Sequence, residues 1–362
     1  MASSTTLTAA PPALPVPVVQ GDWLRQWLAW PARFVDGWSR ANELPDISLA
    51  VRHRRLLSGA GPEGWLALQP GLATVGDETT WTSFAARGAT ALAVGGVHGP
   101  DRPAAFAQFR EATNALGIRR QAVYPVREPD LDAARSAGFE TMPVGVEAWV
   151  DLDEFTLEGK RFADLRQMRN RARNRGVVVQ EVDPRAWAER LKATWRAFLR
   201  ARDVPWQLRW LTGGPVFSTY FGHRTFVAHH DGLVQAFCTV LPGPDGAASL
   251  DVMCRHPKAG PGSMEALLVS AMEQLRTEGV QRVSLGPCPL AEGTAHEVPG
   301  VLGLAMRWAW EGPVADRWFG FRSLTAFKAK FCPRYERVHL GIAPGLSAMS
   351  TYLVARIWAL GE

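Results

Sequence analysis

Three short stretches carry residue types that could do chemistry. The first is Ser249-Leu250-Asp251-Val252-Met253-Cys254-Arg255, where an aspartate interrupts an apolar strand pattern. A carboxylate there is costly to bury unless it is paired or used. Asp251 could orient an attacking hydroxyl or a substrate amine. Arg255, at the strand's expected end, could bind phosphate or stabilise an oxyanion. A structural ion pair between the two is the plainer alternative.

The second stretch is LEGKRFADLRQMRNRARNRG, at residues 157–176. Between residues 160 and 175, Lys160, Arg161, Arg166, Arg169, Arg171, Arg173 and Arg175 are opposed only by Asp164. The spacing predicts a helix stopped at Gly176. Arg166, Arg169 and Arg173 share one face at i, i+3, i+7, and Arg171 and Arg175 another. Phe162, Leu165 and Ala172 form an apolar stripe for docking. Crowded positive charge repels itself, which an anionic partner offsets. Nucleic-acid phosphate is the first such partner and an anionic lipid headgroup the second, against a plain solvated face.

The third stretch is Phe327-Lys328-Ala329-Lys330-Phe331. Its alternation predicts a strand with both lysines on one face, either a half-buried edge or a phosphate site at a cleft rim. Three histidines, His229, His230 and His256, read as turn or surface residues without a triad partner. Cys238, Cys254, Cys288 and Cys332 have no C-x-x-C or zinc spacing and read as reduced thiols. No metal and no cofactor is expected.

These residues need elements to hold them. Residues 47–150 alternate strand and helix patterns: WLALQPG and ALAVGG as strands, PAAFAQFREATNALG as a helix, QAVYPV as a strand, DLDAARSAGF as a short helix, then EAWVDL as a strand. After the basic stretch the style repeats, with a helix at 184–202, the strands RTFVAHH, LVQAFCTVL and ASLDVMC, a helix at 263–277 and the strand RVSLG. HHDG and LPGPDG supply hairpin turns. The fold class expected is α/β with mixed sheets. The divisions are an extended tail at 1–20, an amphipathic helix at 21–42, a first lobe at 43–150, a basic bridge at 151–178, a second lobe at 179–340 and an apolar helix at 341–362. With 362 residues and 47% hydrophobic composition, two cores can be buried.

Net charge is a mild +5, compatible with a polyanion or an anionic membrane. No apolar run reaches the length needed to span a bilayer. In the 21–42 segment, Trp23, Trp27, Trp30, Phe34 and Trp38 fall within about 80° of one another on a helical wheel. That face reads either as packing or as an interfacial membrane contact through Trp23, Trp27, Trp30 and Trp38.

Four segments together resemble the synthase domain of lysylphosphatidylglycerol synthases, the multiple peptide resistance factor type. They are GVEAWVDLDEFTLEGKRFADLRQMRNRARNRG, SLDVMCRHP with the following GSMEALL, RVSLGPCPLA, and FRSLTAFKAKF. With the weaker first lobe the likeness covers about residues 50–340. The resemblance implies two tandem GNAT-like acyltransferase lobes joined by a basic helix, an aminoacyl-tRNA donor, and a membrane phospholipid acceptor, commonly phosphatidylglycerol. Together with the residue readings above, it leads to the expectation of catalysis at Asp251 and Arg255, and of RNA or phosphate contacts at Lys160, Arg166, Arg169, Arg171, Arg173, Lys328 and Lys330. It also implies a cytoplasmic protein, peripheral at the inner face of the membrane.

The sequence departs from that pattern at three places. Cys254 stands where the family usually has Arg, Gly260-Pro261-Gly262 replaces a Pro-Asn-Gly, and Thr325-Ala326 lacks a basic residue. Three alternatives therefore stay open. They are an acyl-coenzyme A transferase, aminoacyl transfer to a non-lipid acceptor, and a non-catalytic module that binds tRNA or membrane.

Overall fold

The computed structural model describes residues 62–69, 72–201, 223–243, 245–312 and 320–359. The tail, the 21–42 helix and its four tryptophans lie outside the described residues. One mixed sheet organises everything else. Its strands are β1 (Ala73–Gly76), β2 (Trp81–Arg87), β3 (Thr90–Val94), β4 (Arg120–Arg127), β5 (Glu140–Asp151), β6 (Val178–Val182), β7 (Arg224–His230), β8 (Leu233–Pro242), β9 (Ala247–Arg255), β10 (Arg282–Pro289) and β11 (Arg334–Ala343). Their order is β1-β2-β3-β4-β11-β5-β10-β9-β8-β7-β6.

That order reads almost the same from either end. β3 and β4 are parallel, as are β9 and β10, and the remaining pairs are antiparallel. Each parallel pair needs a crossover. Helix α1 (Arg102–Ala115) supplies the first, and α5 (Ser263–Thr277) the second. The last strand of each half closes the other half: β11 pairs with β4, and β5 pairs with β10. The 11 strands are therefore one continuous sheet rather than two separate ones.

The remaining helices are α2 (Leu131–Ser136), α3 (Ala163–Asn174), α4 (Ala188–Ala201), α6 (Thr294–Glu297), α7 (Gly300–Glu311), α8 (Phe321–Ala329) and α9 (Ala348–Ala359). Alternation along the strands assigns them to faces. In β11, Tyr335 and Ala343 join the clusters under α3, α5, α1 and α2, whereas Val338, Leu340 and Ile342 join the cluster under α7 and α9. On the second face the other half is covered by α4, through Leu191 against Val227, Phe237, Val252 and Cys254.

Local chemistry explains most of these elements. Asp101 caps α1 by accepting from the Ala104 N–H at 3.0 Å, with Pro103 in the first turn. The β7–β8 hairpin turns through Asp231 and Gly232, with φ of 46° and 77°, the pair of left-handed residues a tight hairpin requires. In α3, Leu165 and Ala172 are buried as their spacing predicts, and Gly176 follows at φ 76°.

Two strand expectations are corrected. The Trp65–Leu68 part of WLALQPG lies in a 3₁₀ segment, Pro62–Leu68, and all four residues are buried. An unbroken apolar run has no period-2 signature, so the choice fell to packing. Phe327–Phe331 belongs largely to helix α8, where the two rings meet at i, i+4 with centroids 5.6 Å apart. Strand-like alternation over five residues competes there with good helix formers at Arg322, Leu324, Ala326 and Lys328. At the other end of the chain β11 runs through Ala343, and α9 begins only at Ala348.

Candidate functional site

Asp251 owes its position to a β-bulge. Thr239 pairs with Val252 and Val240 with Leu250, so Asp251 has no cross-strand partner. A bulge re-aims the extra side chain. Leu250 joins the core beneath α5, but Val252 joins the core beneath α4. Asp251 lies on the α4 side, where Thr239 Oγ1 donates to its Oδ2 at 3.4 Å. Thr239 is itself held by the Val252 N–H at 3.1 Å.

The second partner of Asp251 is His223, whose Nε2 stands 3.5 Å from Oδ2. The side chains are 7% and 9% exposed, so water screens the pair little. Sequence reasoning missed His223. The available signal was the alternation His223, Thr225, Val227, which extends the RTFVAHH strand pattern backwards on one face. Around the pair lie two buried hydroxyls, Thr225 Oγ1 and Ser249 Oγ, that have no hydrogen-bond partner among the described residues. They offer donors and acceptors to a bound molecule.

Arg255 does not meet Asp251. It is exposed at the end of β9 and donates from Nη2 to the Ala259 carbonyl at 3.0 Å. The anticipated strand-end ion pair is absent because the bulge takes the two side chains apart. Cys254, one residue earlier, is fully buried in the apolar cluster beneath α4.

Lys328 is also buried, at 2% exposure, and donates from Nζ to the Pro287 carbonyl at 2.8 Å. The parallel pairing of β9 and β10 ends at Ser249 and Ser284, and β10 breaks register before Pro287. A Cβ built on Gly286 would lie 3.5 Å from Lys328 Nζ and 3.8 Å from the Leu250 carbonyl oxygen. The ammonium therefore sits where the two strands part. Phe327 and Phe331, its helical neighbours, pack on the core beneath α3 and α5. Lys328 Nζ thus reaches the split, and Asp251 lies with His223 on the α4 side of the sheet just past the point where the β9–β10 pairing ends.

A buried chain of polar groups leads to the same split. Glu147 is wholly buried and accepts from Arg127 and from Ser284 Oγ, and Ser284 Oγ accepts from the Gly286 N–H at 2.9 Å. Nearby, burial pushes the Cys288 thiol up, an effect the Lys328 charge opposes. None of Arg127, Glu147 or Ser284 is marked by sequence spacing, because they come from three different strands.

The basic residues of the bridge divide by role. Arg166, Arg171 and Arg175 share one open face of α3 and its end with Ala163, Gln167, Asn170 and Asn174. Arg166 also donates to the Leu157 carbonyl at 2.7 Å. Arg169 turns away to Glu273 of α5 at 3.2 Å, which corrects its grouping with Arg166 and Arg173. Arg173 and Lys160 are exposed outside that face. Lys330 bridges Glu265 at 3.1 Å and Asp164 at 3.2 Å. Burial lowers its pKa, but those two carboxylates outweigh it and the net shift is upward. Lys330 is a tie between the starts of α3 and α5 rather than an open phosphate ligand.

The turn before α5 is closed by the bridge helix. A Cβ on Gly262 would come within 2.0 Å of the Met168 carbonyl oxygen, and Gly260 faces Arg175. Among the described residues no cluster of three His, Cys, Asp or Glu side chains could hold a metal ion, and no helix is long and apolar enough to cross a membrane.

Known proteins share this fold. The family model described as phosphatidylglycerol lysyltransferase, C-terminal, matches residues 55–340. A bifunctional lysylphosphatidylglycerol biosynthesis protein of Mycobacterium sp. (strain KMS) is 30% identical over 227 residues, 56% of this chain and 20% of the relative. A phosphatidylglycerol lysyltransferase of Bacillus subtilis (strain 168) is 25% identical over 252 residues, 65% of this chain and 28% of the relative. The chain thus spans about a fifth to just over a quarter of the length of these relatives. Among solved structures, the C-terminal domain of a protein assigned as a lysylphosphatidylglycerol synthetase of Agrobacterium fabrum aligns with TM-score 0.71 at 23% identity, covering 87% of this chain and 98% of that one. The L-PGS structure of Bacillus licheniformis aligns with TM-score 0.70 at 20% identity, over 87% and 97% of the two chains. At these identities the structural likeness establishes the fold.

Proposed function

Because the chain belongs to the phosphatidylglycerol lysyltransferase C-terminal family, we propose that it moves an amino acid from aminoacyl-tRNA to a hydroxyl of a membrane lipid of the phosphatidylglycerol type. The observation that carries this reading is the split between β9 and β10. Lys328 Nζ is buried at that split, and the Asp251–His223 pair lies just past the end of the β9–β10 pairing. An acyl transfer needs both kinds of group: positive charge for the developing oxyanion and a base for the attacking hydroxyl.

In this reading the RNA backbone lies along the open face of α3 against Arg166, Arg171 and Arg175, with Gln167, Asn170 and Asn174 available to the bases. Its terminal ester enters the split from that face. The lipid hydroxyl oxygen attacks the ester carbonyl carbon, and its proton passes to the Asp251–His223 pair. The tetrahedral oxyanion faces Lys328. Collapse breaks the bond to the ribose oxygen, which takes the proton and leaves as a free hydroxyl. The aminoacyl group is then esterified to the lipid. Much of the acceleration comes from holding two reactants in line, since the ester is already activated.

We also read the two halves of the sheet as tandem GNAT-like lobes that trade their closing strands. The acyl-coenzyme A alternative finds little room, because Met168 presses on the turn where backbone amides would cradle a pyrophosphate. The test is incubation of the full chain with total charged tRNA and mixed lipids, followed by mass spectrometry of the lipid extract. A lipid heavier by one aminoacyl residue, lost after ribonuclease treatment, is expected. Transfer only to a water-soluble acceptor, or none, overturns the reading.

A further inference from the structure

Helix α7 is apolar on every side. Its sequence, GVLGLAMRWAWE, contains only two charged residues, Arg307 and Glu311. One flank is core: Met306 is buried, and Leu302 and Ala309 pack against the cluster beneath α7 and α9. The opposite flank is not. Val301, Leu304 and Trp308, at i, i+3 and i+7, are 72%, 59% and 54% exposed. A helix apolar all round belongs in a protein core or against a membrane.

We propose that this flank of α7 is a bilayer-docking surface that rests among lipid headgroups and upper acyl chains. Three observations select a lipid surface over a second copy of the chain. Together the three side chains leave on the order of 400 Å² uncovered, about half of the ~800 Å² per partner that a stable dimer buries. The one cation of the helix, Arg307, adjoins Trp308 and can reach anionic headgroups, whereas its one acid, Glu311, stands 3.1 Å from His296 Nε2. A tryptophan beside an arginine is the combination favoured at the headgroup level.

Position agrees with chemistry. α7 packs on the same face of the sheet as Asp251 and His223, opposite the arginine-rich helix α3. Its Trp310 packs against both the cluster beneath it and the one that holds Phe327 beside Lys328. Docking by α7 would turn the Asp251 side of the split toward the bilayer and leave α3 toward solvent. The choice of a lipid surface rests on the lipid-acceptor reading above.

The experiment uses flotation with vesicles of phosphatidylglycerol and phosphatidylcholine, and with phosphatidylcholine alone. The full chain is compared with the triple variant Val301→Gln, Leu304→Gln, Trp308→Gln and with Arg307→Glu. The triple variant is expected to lose roughly tenfold or more of its binding to both vesicle types, since apolar insertion is what it removes. Arg307→Glu is expected to lose binding to the anionic vesicles only. Melting temperatures should stay at the wild-type value, because the three side chains are exposed. Unchanged flotation of the triple variant overturns the proposal, as does a wild-type protein that does not float. So does a wild-type dimer that the triple variant converts to monomer, or a large drop in its melting temperature. Aminoacyl-lipid formation on detergent-dispersed lipid is measured alongside. Normal wild-type activity without flotation rejects α7 docking alone, and flotation without activity rejects the acceptor reading alone.

Discussion

His223 Nε2 and Asp251 Oδ2 stand 3.5 Å apart on neighbouring parts of one sheet face, although 28 positions separate them in the chain. Asp251 is there because a bulge lifts it out of the β8–β9 ladder, and Thr239 steadies it from the other side. Asp251→Asn keeps the shape and removes the charge. A turnover loss of about 10²–10⁴-fold is expected, the range for a positioned acid–base group. His223→Gln should fall in the same range. The double variant should be no worse than the poorer single one, since groups acting as a unit are not additive. Aminoacyl-lipid formation and thermal melts check this. Losses that multiply, or that track melting temperature, would assign the pair a structural role.

The bridge arginines should separate by partner. Replacing Arg166, Arg171 and Arg175 by Gln should weaken tRNA binding. It should also reduce the slope of log K against log salt by roughly 0.7–0.9 for each phosphate left without its cation. Arg169→Gln should leave that slope alone, because its guanidinium serves Glu273. Filter binding from low to high salt measures both. An equal effect from Arg169 would mean that charge density alone matters.

Gly262→Ala should be severely destabilising. The new Cβ meets the Met168 carbonyl, and the residue sits at φ 88°. Overpacking and left-handed strain together cost roughly 3 kcal/mol. Gly279→Ala has φ 90° but open space, so only the backbone cost of about 1 kcal/mol applies there. Urea unfolding distinguishes them, and equal values would show that α3 yields.

His98 predicts an acid limb of stability. It stacks on Trp81 with ring centroids 4.1 Å apart. Burial, and then the charge of Arg102, hold its pKa down to about 3. The unfolded chain binds a proton below about pH 6.5 that the folded chain refuses, so stability is full above that value. It falls by about 1.4 kcal/mol per pH unit between there and pH 3. His98→Phe keeps an aromatic ring beside Trp81 and should flatten the decline between pH 6 and 5. Parallel curves for the two proteins would place the acid sensitivity elsewhere.

Much of the architecture is legible in the residues. The span of α5 follows from its sequence pattern, and β7, β8, β9 and the stop at Gly176 nearly so, because apolar periodicity and turn glycines act over a few residues. The FKAKF stretch misleads for the converse reason: five residues alternate as well in a helix's last turn as in a strand, and only the contacts of Phe327 and Phe331 decide.

By itself, the sequence determined that the chain is α/β, that a basic helix follows the first set of strands, and that Asp251 is an acid out of place on an apolar strand. These are properties of composition and short-range order. Only the tertiary structure decided which groups stand beside Asp251, that Arg255 is not among them, and that Lys328 reaches the split between β9 and β10. It also decided that β5 and β11 change places to make one sheet. The reason is that strand pairing and bulges join residues far apart in the chain. The period-2 pattern that reveals a strand carries no record of its neighbour, and a single extra residue in one ladder exchanges the faces of everything after it.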